Sequence, residues 1–189
     1  IKRLVVFSRD ELKQWEMQQK FSQSDYPVIR YFLGDVRDKN RLSRALEGID
    51  CVVHAAALKQ VPAAEYNPDE FIKTNINGSN NIITAAIDCD VKKVLALSTD
   101  KAVNPTNVMG ASKRISELII QAYADINEKE KLDQSNIETC FTMVRFGNVL
   151  WSSGSVAPLF REQILSGGPI TLTHNDITRY FMSINEATN

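Results

Sequence analysis

The sequence is short of several things, and each shortage excludes a class of function. Of its 189 residues only three are cysteines (Cys51, Cys89, Cys140) and two are histidines (His54, His174). The cysteines lie scattered in apolar or strand-like runs, as thiols of a reducing compartment do, and a disulfide framework is not expected. Cys51-x-x-His54 has metal-like spacing, but strand alternation sends positions i and i+3 to opposite faces, so no metal site is expected. Neither sign of charge is in excess: 22 Lys and Arg stand against 23 Asp and Glu, interspersed. That balance leaves no basic footprint for nucleic acid and no polybasic arm for a membrane. No apolar run approaches the ~20 residues that span a bilayer. Ile1 to Phe7 is too short for a signal peptide, and acidic residues follow at once. No Gly-x-Ser-x-Gly suggests a hydrolase. A starting Met is also lacking, and the chain opens inside an apolar strand, so it reads as a fragment of a cytoplasmic protein.

What is there suffices for a core: 43% of the residues are hydrophobic, and the length suits one domain or one domain with part of a second. Strands and helices alternate. Strands are expected at Leu4–Phe7, Val28–Leu33, Cys51–His54, Lys93–Ser98 and Glu138–Arg145. Helices are expected at Glu11–Phe21, after an Asp38 N-cap with Leu42, Ala45 and Leu46 on one face, at Asp69–Cys89 and at Val108–Glu128. In the long helix Phe71, Ile72, Ile76, Ile82, Ile83 and Ala86 should form the buried side. Glu128–Asn136 reads as a charged surface loop, Trp15, Tyr31, Tyr66 and Phe71 as packing, and Pro158–Leu165 as a further helix. Ile170–Thr173 and Tyr180–Ser183 read as short strands. Apolar strands alternating with helices mean an α/β fold, a doubly wound parallel sheet of Rossmann type. Residues 1–150 would be its dinucleotide-binding domain and 151–189 the beginning of a substrate lobe.

Ligands of such sheets sit at the carboxyl ends of the strands. A dinucleotide fold normally carries a Gly-rich turn after its first strand, and none is present. The expectation is therefore that Leu4–Phe7 is the second strand and that the first strand and its loop lie outside this sequence. Ser8, Arg9, Asp10, Glu11 and Lys13 then fall where an adenosine ribose is read, and Arg9 with Lys13 suits a 2′-phosphate, which favours NADP over NAD. An ordinary helix start with solvated charges is the alternative there. Asp35 and Val36 would flank the adenine, and the small side chains of Ala55 and Ala56 let the backbone approach a cofactor. Lys59 follows within reach of a phosphate or sugar. Ser98-Thr99-Asp100-Lys101 places a hydroxyl, a carboxylate and an amine at one strand end, with Met109 and Lys113 about ten residues on.

The runs "AAALKQVPAAEYNPDEFIKTNING" (55–78), "LSTDKAVNPTNVMGASK" (97–113), "RFGNVL" (145–150), "GSVAPLF" (154–160) and "THNDITRYF" (173–181) resemble the extended short-chain dehydrogenase/reductase family. Within it they resemble the UDP-N-acetylglucosamine 4,6-dehydratases of capsule and flagellin-sugar synthesis. The resemblance implies that Thr99 hydrogen-bonds the sugar 4-oxygen, that Asp100 protonates the departing 6-hydroxyl and that Lys101 removes the C5 proton. It implies that Lys113 holds the nicotinamide ribose, that Leu97, Ser98, Val149, Leu150, Ser152 and Ser153 line the cofactor, and that Asn148, Val156 and Thr173 contact a UDP-sugar. It also implies a homo-oligomer when complete, lying at the cytoplasmic face of a membrane if an anchor precedes it. Two positions depart from the family. Met109 stands where a tyrosine is usual, and methionine has no ionisable proton. Trp151 stands where relatives usually carry glycine. A C5-epimerising dehydratase, a sugar 4-epimerase and a non-catalytic NADP-binding protein are the alternatives.

Overall fold

The computed structural model describes residues 1–132, 139–172 and 174–189, with the side chains of 129–132 outside that description. It divides into two compact units, Ile1–Val144 and Arg145–Asn189.

In the first unit β1 (Leu4–Ser8) is followed by α1 (Glu11–Lys20), β2 (Ile29–Leu33), α2 (Lys39–Leu46) and β3 (Cys51–His54). The Asp10 and Asp38 side chains accept from the Lys13 and Arg41 amides and start α1 and α2, as short polar N-caps do. After α3 (Val61–Tyr66) a single helical rod runs from α4 (Pro68–Phe71) through a π-turn (Ile72–Asn77) into α5 (Gly78–Asp88). Then come β4 (Lys93–Thr99), a 3₁₀ turn (Asp100–Ala102), α6 (Val108–Leu132) and β5 (Cys140–Phe146).

The π-turn corrects one expectation. Ile72 was placed on the buried side of the long helix, yet it is 43% exposed, while Thr74 and Asn75 are buried at 5% and 1%. A wider turn rotates the helix face, so the 3.6-residue count made from Phe71 lands wrongly. Phe71, Ile82, Ile83 and Ala86 are buried as expected. Helix α6 runs on through Leu132 where a loop was expected from Glu128, since Glu, Lys and Leu all favour helix; positions 133–136 lie outside the described residues. Trp15 and Tyr66 do not pack as expected, at 57% and 90% exposure.

β1 and β2 pair in parallel, Val5 opposite Arg30 and Phe7 opposite Phe32. β3 and β4 pair in parallel, Cys51 opposite Lys93 and His54 opposite Ala96, and β5 lies on the far side of β4. Among the described residues no ladder joins β1 to β3. Between them runs a cleft lined by Leu4, Val5 and Phe7 on one wall and by Cys51, Val52 and Val53 on the other. The two sheets are held together through the apolar core, in which Val36, Leu42 and Leu46 pack with Ile82, Ile83, Val91, Val94 and Ile120.

The second unit contains β6 (Asn148–Val149), α7 (Val156–Leu165), β7 (Phe181–Met182) and α8 (Ile184–Thr188), with β6 parallel to β7. Ile170–Leu172 forms no strand: the Thr171 amide donates to the Gln163 side chain at 3.1 Å instead of to a neighbouring strand.

Candidate functional site

The ends of β1, β2 and β3 open onto the cleft between β1 and β3, whose whole volume is about 730 Å³. Ser8, Arg9, Asp10 and Lys13 line it from the end of β1, Asp35 and Val36 from the end of β2, and His54 to Leu58 from the end of β3. Three separate stretches of sequence are thus brought together, as the parallel-sheet rule requires. Glu11 does not line this cavity, because it opens the first turn of α1 beyond the Asp10 cap. Lys59, too, lies outside its lining. Arg9 approaches Asp35 at 3.4 Å and Lys13 approaches Asp10 at 3.4 Å, both basic side chains being half exposed or more. Burial pushes the Asp35 carboxyl up, but hydrogen bonds from Arg37 outweigh it and hold Asp35 below the usual range. The cavity therefore offers paired cations with an ionised acid, beside the small side chains Ala55 to Ala57. That combination fits the adenosine half of a dinucleotide.

A second cluster forms at the end of β4. Thr99 donates to Asp100 Oδ1 at 2.9 Å, and Lys101 Nζ donates to the same oxygen at 3.0 Å. The 3₁₀ turn that begins at Asp100 makes this possible, since it folds three consecutive side chains back on one another. Burial raises the Asp100 pKa, yet the hydrogen bonds from Lys101 and Thr99 leave it net lowered, so Asp100 is a carboxylate at neutral pH. Lys113 sits in the second turn of α6 and donates to the Leu97 carbonyl at 2.7 Å. Burial holds its pKa below the ordinary lysine value, with Glu117 acting in the opposite direction. Ser98 is buried, its hydroxyl without a hydrogen-bond partner among the described residues. Helix α6 reaches this cluster because residue 110 is glycine: a Cβ there would stand 2.6 Å from the Lys101 carbonyl oxygen.

Met109, at the position where a tyrosine is usual, lies in the core. It is 3% exposed and belongs to an apolar cluster with Ala64 and Phe71. A thioether fills that gap as a phenol could not without a partner for its hydroxyl.

A buried polar seam escaped the sequence reading. Asn75 accepts from the Leu58 amide at 2.8 Å, donates to the Leu58 carbonyl at 3.0 Å and donates to Ser112 Oγ at 2.9 Å. His54 Nε2 lies 3.0 Å from Ser79 Oγ, and Ser79 Oγ lies 2.7 Å from Ser116 Oγ. The available signal was the run of small polar residues, Thr74, Asn75, Ser79, Ser112 and Ser116, interrupting otherwise apolar helix faces.

The remaining candidates belong to the second unit. The Asn148 amide donates to the Tyr180 carbonyl at 2.7 Å and the Leu150 amide to Met182 at 2.9 Å, which holds Asn148, Val149 and Leu150 as an ordered strip. Ser152 and Ser153 follow in the turn, and Val156 opens α7. Trp151 takes φ +62° in that turn and is 62% exposed. Thr173 lies outside the described residues.

Comparison with known proteins identifies relatives along the whole chain. The family model described as polysaccharide biosynthesis protein matches residues 1–189. A UDP-N-acetylglucosamine 4,6-dehydratase (inverting) of Campylobacter jejuni is 46% identical over 185 residues, 97% of this chain and 52% of that protein. A protein of Rickettsia canadensis named UDP-glucose 4-epimerase is 44% identical over 189 residues, all of this chain and 52% of that one. The X-ray structure of Pen from Bacillus thuringiensis superposes with TM-score 0.91 at 43% identity, covering 99% of this chain and 57% of that one. The chain thus spans about half the length of the curated relatives it matches. With its parallel sheets and a match along its whole length, the chain belongs to the polysaccharide biosynthesis protein family, on the short-chain dehydrogenase/reductase fold.

Proposed function

We propose that the complete protein is a nucleotide-sugar 4,6-dehydratase that converts UDP-N-acetylglucosamine to a 4-keto-6-deoxy sugar nucleotide, with NADP held at the strand-end cavity. The observation that carries this reading is the Thr99-Asp100-Lys101 constellation, an acid and a base in contact at 3.0 Å. A bound nicotinamide supplies a reversible hydride acceptor. With C4 at the ketone level the C5 proton becomes acidic, and Lys101 is the base that removes it. Asp100 starts ionised and paired with the Lys101 ammonium; it takes the Lys101 proton, which leaves Lys101 neutral to remove the C5 proton, and passes the proton it took to the leaving 6-hydroxyl. The 4-hydroxyl proton goes to solvent, and a solvent proton restores the Lys101 ammonium once Lys101 has returned its proton to C5. Thr99 orients the sugar 4-oxygen and holds Asp100 in place. This division of labour needs no tyrosinate, which accounts for a functional site with Met109 in the core. Lys113, its ammonium fixed against the end of β4, holds the nicotinamide ribose. Arg9 and Lys13 answer a 2′-phosphate.

A second reading is a sugar 4-epimerase, favoured by the name of the Rickettsia relative. Epimerisation at C4 needs no acid and base for elimination, so it leaves the Asp100–Lys101 contact without a task. Proton NMR of UDP-N-acetylglucosamine turned over by the complete protein with NADP⁺ in deuterated water decides between them. A 4-keto-6-deoxy product with deuterium at C5 supports the dehydratase. A C4-inverted sugar without deuterium establishes the epimerase instead, and unchanged substrate with NADP⁺ bound establishes a non-catalytic binder.

A further inference from the structure

Ser79, 1% exposed at the start of α5, brings three elements to one oxygen atom. Its proton is committed: the Asn75 carbonyl 2.6 Å away can only accept, so Ser79 donates to it. The Ser79 oxygen therefore accepts from its other two neighbours, Ser116 Oγ at 2.7 Å on α6 and His54 Nε2 at 3.0 Å on β3. This directionality assigns the Nε2–H tautomer to His54 and leaves its buried Nδ1 as a lone pair without a hydrogen-bond partner among the described residues. One hydroxyl thus ties the π-turn, the end of β3 and the middle of α6 together.

Ser116 stands three residues beyond Lys113 on the same helix, close to one turn. Whatever fixes the rotation of α6 at Ser116 also fixes the direction in which Lys113 leaves the helix. We propose that Ser79 is a positioning residue for Lys113: its hydroxyl locks α6 in the rotation that lays the Lys113 ammonium 2.7 Å from the Leu97 carbonyl. The catalytic consequence rests on Lys113 holding the cofactor; the geometric claim does not. The charged and titratable groups to be considered around Lys113 are Glu117 on its own helix and His54 on β3.

The test follows the Lys113 side chain directly. In the complete protein with ¹³Cε-labelled lysine, the Lys113 resonance is assigned by its loss in Lys113→Arg and titrated by NMR without cofactor. NADP⁺ and NAD⁺ affinities are measured alongside by calorimetry. Ser79→Ala is expected to move the Lys113 titration upward, toward the ~10.4 of an ordinary lysine, and to weaken dinucleotide binding about tenfold. Ser79→Thr, which keeps the hydroxyl, restores both, and Ser116→Ala shifts Lys113 the same way should Ser79→Ala not fold. Ile83→Val, which loosens the same core without touching the seam, is the control for a merely structural effect. A Lys113 titration identical in Ser79→Ala and the unaltered protein, or one moved equally by Ile83→Val, overturns the proposal. Undiminished NADP⁺ affinity in Lys113→Ala strikes instead the cofactor role of Lys113, and the resonance still decides the role of Ser79.

Discussion

Gly110 and Lys101 touch through their backbones. A Cβ at position 110 would lie 2.6 Å from the Lys101 carbonyl oxygen and 3.2 Å from the Pro105 side chain. The base of the proposed elimination and the helix that carries Lys113 are thereby set against each other without an intervening side chain.

Gly110→Ala should accordingly cost up to about 2 kcal/mol of stability and be severe for activity. Alanine gains about 1 kcal/mol of helix propensity over glycine, against about 1–3 kcal/mol of overpacking. The displaced Lys101 should lose about a hundredfold in turnover. Urea unfolding and initial rates measured together check this; a variant of unchanged rate would show that the contact does not place Lys101.

Lys101→Ala should abolish dehydration while NADP⁺ binding persists, since Arg9, Lys13 and Lys113, which are proposed to hold the cofactor, are left in place. Asp100→Asn should also stop turnover, because an amide neither accepts a proton at neutral pH nor passes one on. Product formation by NMR and NADP⁺ binding by calorimetry check both. Retained turnover in either variant removes that residue from the mechanism.

His54 predicts a pH dependence of stability. Burial first, and the nearby charge of Lys113 second, push its pKa from 6.5 to about 4. Above pH 6.5 neither folded nor unfolded chain binds the proton. Between 6.5 and about 4 the unfolded chain binds it and the folded one does not, so stability falls as pH drops and levels off below about 4. The loss should reach about 2 kcal/mol by pH 5. His54→Gln, which cannot titrate, should flatten that slope in urea unfolding at pH 7.5 and 5; an equal slope in both proteins would assign the effect elsewhere.

Trp151→Gly should stabilise the chain. A non-glycine residue held at φ +62° costs roughly 1–2 kcal/mol, and the half-exposed indole returns little by burial. Glycine gives back about 0.4–1 kcal/mol through a freer unfolded state, which leaves a net gain of about 0.5–1 kcal/mol. Denaturant unfolding measures it, and a lower midpoint would show that the indole makes compensating contacts.

Much of this was legible in the sequence. The caps Asp10 and Asp38, the apolar face of α2 and the parallel order of strands follow from local chemistry, and each acts within a few residues of itself. The strand-end rule also found the cavity residues, because Ser8, Asp35 and Ala55 sit where their strands stop. What escaped depends on partners distant in sequence. Asn75 and Ser79 are buried because the π-turn rotates them toward Ser112 and Ser116, some 37 residues away. A periodicity count carried past Ile72 has no means of detecting that extra rotation. The role of Gly110 likewise exists only once a carbonyl nine residues earlier has been folded back against it.

The cleft between β1 and β3 bears on how the molecule comes apart. Each of these strands has a ladder on one side only, and the helix packing that joins the sheets is side-chain packing rather than a shared backbone lattice. Among the described residues the β1–β2 and β3–β4 ladders are thus separate blocks. Amides of β1 and β2 should exchange with solvent through openings that leave β3 and β4 protected.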